Sequence, residues 1–90
     1  MSRDPRLTEL RDRVSETDRA ILDLVNRRLE LVQEIRRHKA ELGLPFLDPT
    51  REAELLAALR AANTGPLSAD GVERLFRNIL ELLKQEAGLS

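Results

Sequence analysis

Cysteine, tryptophan and tyrosine are absent from this chain, and its 90 residues include only two phenylalanines and one histidine. Without cysteine there is no disulfide framework and no thiolate chemistry, and a single histidine argues against a structural zinc site. No metal is expected. With so few aromatics, aliphatic side chains must build the core. Long apolar runs are missing as well: no stretch of 18 apolar residues could span a membrane, and Met1-Ser2-Arg3-Asp4-Pro5 lacks the apolar centre of a secretory signal. The expectation is a soluble cytoplasmic protein. Nor is there an excess of charge of one sign, since 15 Lys and Arg face 16 Asp and Glu for a net −1. That balance gives no general attraction to nucleic acid or to an anionic membrane, so any pull on an anion must be local.

What is present is a long, uninterrupted helical pattern. Residues 6–42 contain neither Gly nor Pro. At about 100° per residue, Leu7, Leu10, Val14, Ile21, Val25, Val32 and Ile35 share one face, with Asp12, Glu16, Arg19, Asp23, Glu30, Glu34, Arg37 and Glu41 opposite. Asp4-Pro5 forms a cap followed by a helix-starting proline, and Gly43 is a natural stop. The first helix is therefore expected to run about 37 residues, or roughly 55 Å. A compact domain of this size measures only about 25–30 Å across. Residues 43–90 cannot cover such a helix, and its apolar face calls for a second subunit.

The remaining pattern adds two helices. Asp48-Pro49 repeats the cap-then-proline signal, and the second helix is expected to reach about Ala62, with Leu55, Leu56, Leu59 and Glu52 facing inward. Asn63-Thr64-Gly65-Pro66 reads as a turn. Ser68 caps a third helix reaching about Ala87, in which Val72, Leu75, Phe76, Ile79, Leu82 and Leu83 make the buried stripe. With 41% hydrophobic and 34% charged residues and no strand-like alternation, the chain reads as one all-α domain over residues 1–90, three helices per chain with a long N-terminal helix that calls for a second subunit.

Charges stand where apolar residues belong. Arg28 and Lys39 fall within the apolar stripe of the first helix, about 16 Å apart along its axis, and a buried charge is costly unless it is paired. Two long side chains leaning together at that separation can bracket a small dianion. The guanidinium offers a fork to a carboxylate, and the ammonium offers a point charge to one oxygen. Lysine is rare here, at positions 39 and 84 only, which suggests a compact cation suits position 39 better than a fork. Asp48, Arg51 and Glu52 join the constellation, the two carboxylates being able to accept from a ligand hydroxyl. Arg11, about 25 Å from Arg28 along the helix, can reach the same ligand only from an antiparallel partner subunit. Taken singly, each residue also has a structural reading: snorkelling cations, an N-cap for Asp48, an inter-helix salt bridge for Glu52. It is their joint placement on inward faces that points to a site. His38 lies off the stripe and is assigned no chemistry.

At these residues the chain resembles the all-helical chorismate mutases. The matching stretches are Leu10-Arg11 followed by Val14, Asp18 and Ile21; Arg27-Arg28 with Leu31-Val32; then Lys39, Pro45, Asp48, Arg51-Glu52 and Leu75-Phe76. The resemblance runs from about Leu7 to Leu83. It implies an intertwined homodimer with two active sites, each bounded by the long helices of both subunits. It also implies isomerisation of chorismate to prephenate, on the way to phenylalanine and tyrosine. By position, Arg28 and the partner's Arg11 would grip the two carboxylates, Lys39 would contact the ether oxygen and a carboxylate, and Glu52 with the Asp48 segment would hold the ring hydroxyl, supported by Arg51. A unimolecular pericyclic step needs no nucleophile, metal, cofactor or proton shuttle.

One departure matters. The family usually carries a small residue and then, four residues on, a Gln or Glu in the last helix, which hydrogen-bonds the ether oxygen. Those positions are Leu83 and Ala87 here. Gln85 needs a slip in register, whereas Glu86 lies on the apolar face. Either Glu86 serves, protonated and so favouring activity at lower pH, or Lys39 acts alone. Two other functions fit the same scaffold: an isochorismate–pyruvate lyase, or a non-catalytic helical dimerisation or regulatory module. Association with another aromatic-pathway enzyme is compatible with each reading.

Overall fold

The computed structural model describes residues 4–88; residues 1–3, on which part of the reading against a secretory signal rests, and residues 89 and 90 lie outside the described residues. Three helices follow one another, α1 (Pro5–Glu41), α2 (Pro49–Ala62) and α3 (Ala69–Glu86), with no strand among the described residues. Their boundaries follow from local chemistry. Asp4 is extended and accepts the Leu7 N–H at 2.8 Å, ahead of a proline that has no N–H to satisfy. Asp48 and Ser68 repeat the device, accepting from the N–H groups of Arg51 at 3.0 Å and Gly71 at 2.9 Å. At the far end of α1, Gly43 adopts φ 70°, a left-handed turn that folds the chain back so that the Leu44 N–H reaches the Lys39 carbonyl at 2.9 Å. After α2, the Asn63 side chain donates to the Leu67 carbonyl at 2.6 Å and accepts the Gly65 N–H at 3.2 Å, closing the second turn.

The third helix joins the other two, packing against both α2 and α1. The buried core is small: Leu56 from α2, Val72 and Leu83 from α3, and Ala87 just beyond it, each at most 6% exposed. At about 1.5–3 kcal/mol for a fully buried large aliphatic side chain, three such residues provide little cohesion. A polar tie adds to it, because the Arg36 guanidinium of α1 donates to the Ala87 carbonyl at the end of α3.

No residue of α1 is buried within the single chain. Its stripe stands open at Leu7, Leu10, Val14 and Ile21, the last two more than half exposed. The molecule measures 58 × 24 × 19 Å with a radius of gyration of 17.1 Å, against about 12 Å for a compact domain of this length. None of the helices is long and apolar enough to cross a membrane.

The third helix corrects the expected stripe. Leu75 and Leu82 are 46% and 48% exposed, whereas Leu80, not assigned inward, is half-buried. At about 100° per residue, the covered face centres on Val72, Phe76, Leu83 and Ala87. Leu75 and Leu82 lie roughly 80–100° to one side of it, where nothing in the same chain reaches them. The apolar stripe of α3 is wider than one chain's packing.

Candidate active site

All three helices and the loop after α1 contribute to one cleft of about 230 Å³. Arg28, Val32, Ile35 and Lys39 enter from α1, two cations and two aliphatic side chains along one face. Phe46, Leu47 and Asp48 come from the loop, Arg51, Glu52 and Leu55 from the first turns of α2, and Leu80, Leu83 and Lys84 from α3. The sharp turn at Gly43 returns the chain along α1, and the Asp48 cap starts α2 with Arg51 and Glu52 one turn in. This is why residues far apart in sequence converge.

Five of the seven residues singled out in the sequence line this cleft: Arg28, Lys39, Asp48, Arg51 and Glu52. The remaining two do not. Arg11 is exposed on the open half of α1, away from the cleft of its own chain. Glu86 is exposed and also lies off the cleft, on the same side of α3 as Leu75 and Leu82. His38 is exposed and sits 3.8 Å from Glu41, one turn along α1. One charged residue of the cleft, Lys84, escapes the sequence reading. Its ammonium pairs with the Glu52 carboxylate across the α2–α3 interface. A signal for it exists: the rarity of lysine that draws attention to position 39 applies equally to position 84.

The electrostatics favour an anionic guest. Four cations (Arg28, Lys39, Arg51 and Lys84) and two carboxylates (Asp48 and Glu52) line the cleft, which leaves a local excess of two positive charges in a chain of net −1. Partial burial pushes the Arg28 guanidinium below its ordinary value by desolvation, while the Glu52 carboxylate acts in the opposite direction. Lys39 is held in place by its own loop, donating to the Phe46 carbonyl at 3.1 Å with its ammonium 5.7 Å from the centre of the Phe46 ring. One oxygen of Asp48 is engaged in capping α2. Among the described residues no group of His, Cys, Asp and Glu is arranged to hold a metal ion. The cleft can therefore bind and orient a small anion through charge-assisted hydrogen bonds.

Comparisons with known proteins identify the family and the fold. Residues 10–87 match the family described as chorismate mutase type II. The fold superposes on that of a chorismate mutase from Thermus thermophilus with a TM-score of 0.87 and 42% identity, covering 92% of this chain and 94% of that one. The T-protein of Enterobacter agglomerans is 41% identical over 75 residues, 82% of this chain and 20% of its own length. A bifunctional chorismate mutase/prephenate dehydratase from Stutzerimonas stutzeri is 38% identical over 86 residues, 89% of this chain and 23% of its own length. The chain thus spans about a fifth of the length of these two curated relatives. On sequence match, fold and cleft together, the chain belongs to the chorismate mutase type II family.

Proposed function

We propose that the chain, as one domain, converts chorismate to prephenate in the cytoplasm, as a step of phenylalanine and tyrosine biosynthesis, acting as a homodimer whose two sites are shared between subunits. The observation that carries this reading is the doubly cationic surplus of the cleft, matched to a dianionic substrate. Arg28 takes one carboxylate with its fork and Arg11 of a second copy takes the other. The pair selects the folded conformer in which the bond-forming carbons meet, a gain of orientation rather than of chemistry. The Lys39 ammonium, which rests on the Phe46 carbonyl, turns to the ether oxygen and stabilises the negative charge that develops as the carbon–oxygen bond breaks. Glu52 accepts from the ring hydroxyl, with the Asp48 segment beside it and Arg51 in support. Because Glu86 lies off the cleft, Lys39 carries the ether-oxygen contact.

The dimer is supported by two features. The open apolar stripe of α1 has no cover in its own chain, and the cleft is open at Ile35 and Leu47, two of its lining residues that stand about half exposed, so a further wall is expected from outside. The name of the Stutzerimonas stutzeri relative couples a mutase with a prephenate dehydratase. Association of this chain with another aromatic-pathway enzyme fits that pattern.

The test is direct. Micromolar protein added to chorismate should make its ultraviolet absorbance decay and yield prephenate. Release of pyruvate from isochorismate without prephenate from chorismate would replace the mutase by a lyase. Turnover of neither would leave a binding or regulatory module.

A further inference from the structure

Lys84 is assigned no contact with the substrate above, although its charge counts toward the surplus of the cleft, and it occupies a distinctive position. The ion pairs Arg6–Glu9 and Arg77–Glu73, like the His38–Glu41 contact, each lie within a single helix; Lys84–Glu52 instead joins two helices, and it does so at the cleft. The Lys84 and Glu52 side chains are 24% and 33% exposed, against 63% and 57% for Arg6 and Glu9. Lys84 follows Leu83, which is 2% exposed, and α3 is tied at its end to α1 through Arg36 and the Ala87 carbonyl. The ammonium is therefore presented from a fixed backbone. Its partner atom is one oxygen of Glu52, Oε1. A guanidinium would fork across both carboxylate oxygens, whereas an ammonium grips one and leaves the other available. In a chain where 15 Lys and Arg include lysine only at positions 39 and 84, lysine here has a geometric rationale.

We propose that Lys84 is a positioning residue that holds one oxygen of Glu52, so that the other is fixed in the cleft as an acceptor for a ligand hydroxyl, and that it thereby sets the preference for a hydroxyl-bearing dianion. The inference rests on the mutase reading and adds a specificity determinant to it. An acceptor placed for a hydroxyl discriminates strongly against an analogue lacking that group, and the discrimination depends on the acceptor staying in place.

The experiment compares kcat/KM of the unaltered protein, Lys84→Met and Lys84→Arg on chorismate and on a chorismate analogue lacking the ring hydroxyl, a group that takes no part in the bonds made and broken. Lys84→Met should lose about tenfold on chorismate, the scale of one hydrogen bond to a charged group, and less than about twofold on the analogue. Lys84→Arg keeps the ion pair and the fold but occupies both oxygens, and should show the same selective loss at about threefold. If Lys84→Met fails to fold, as read by helical circular dichroism, the arginine variant decides alone. Equal losses on both substrates, or none on either, would overturn the positioning role. Inactivity of the unaltered protein on both substrates would overturn the functional reading beneath it.

Discussion

Lys39 and Asp48 show how one side chain can hold local structure and face a ligand at the same time. The Lys39 ammonium is parked on the Phe46 carbonyl at 3.1 Å, so it is fixed near the cleft before any substrate arrives and needs little rearrangement on binding. Replacing Lys39 by Ala should lower kcat by about 10²–10³-fold, the usual loss for a preorganised donor to developing negative charge, with helicity retained; near-normal turnover would remove it from the ether-oxygen role. Arg28→Ala should lose most activity, read as a fall in kcat/KM, while remaining helical. Asp48 caps α2 through Oδ1, so Asp48→Ala should cost about 1 kcal/mol and lower the melting temperature by about 4–8 °C, whereas Asp48→Asn should keep the cap. Arg28 and Lys39 were legible in the sequence because a charge on an apolar face is anomalous and demands a partner, and Asp48 because a cap residue precedes Pro49. Lys84 was marked only by the rarity of lysine, and nothing in the spacing of α3 tied it to the cleft. Its partner is Glu52, 32 positions earlier, and spacing alone cannot pair residues on different helices.

At the scale of the helix, the start and stop signals carried the most information. Asp4-Pro5, Asp48-Pro49 and Ser68 set the starts of α1, α2 and α3 because side-chain oxygens satisfy otherwise unpaired N–H groups wherever the chain folds. Which face of a helix is covered depends instead on its neighbours, and here the periodicity of α3 was misleading. Leu75 and Leu82 continue the apolar stripe but stand about half exposed, and Glu86 shares their side rather than the cleft's. Leu83, 2% exposed, is the keystone of α3. Leu83→Ala should destabilise by about 2–5 kcal/mol in chemical denaturation and disturb the cleft it lines. Arg36→Ala removes the tie to the Ala87 carbonyl and should cost about 1–2 kcal/mol, leaving the catalytic side chains chemically intact.

For the whole molecule, the dominant fact is the mismatch between a helix of 37 residues and a core of four buried residues among those described. Elongation to 58 Å was foreseeable from the length of the uninterrupted pattern, since a helix rises about 1.5 Å per residue whatever surrounds it. How a second copy would lie on the open stripe was not, because many registers bury aliphatic side chains almost equally well. A shared site fixes one of them: Arg11 of one subunit must meet Arg28 of the other. The measurement that tests this most directly is complementation. Arg11→Ala and Arg28→Ala homodimers, each nearly inactive on chorismate, are mixed, unfolded and refolded together. In a two-fold dimer random reassortment makes half the molecules heterodimers, each with one of its two sites intact, so activity should return to about a quarter of the unaltered protein's. Failure to regain activity, with mixed dimers demonstrably formed, would contradict a cationic pocket built from two subunits.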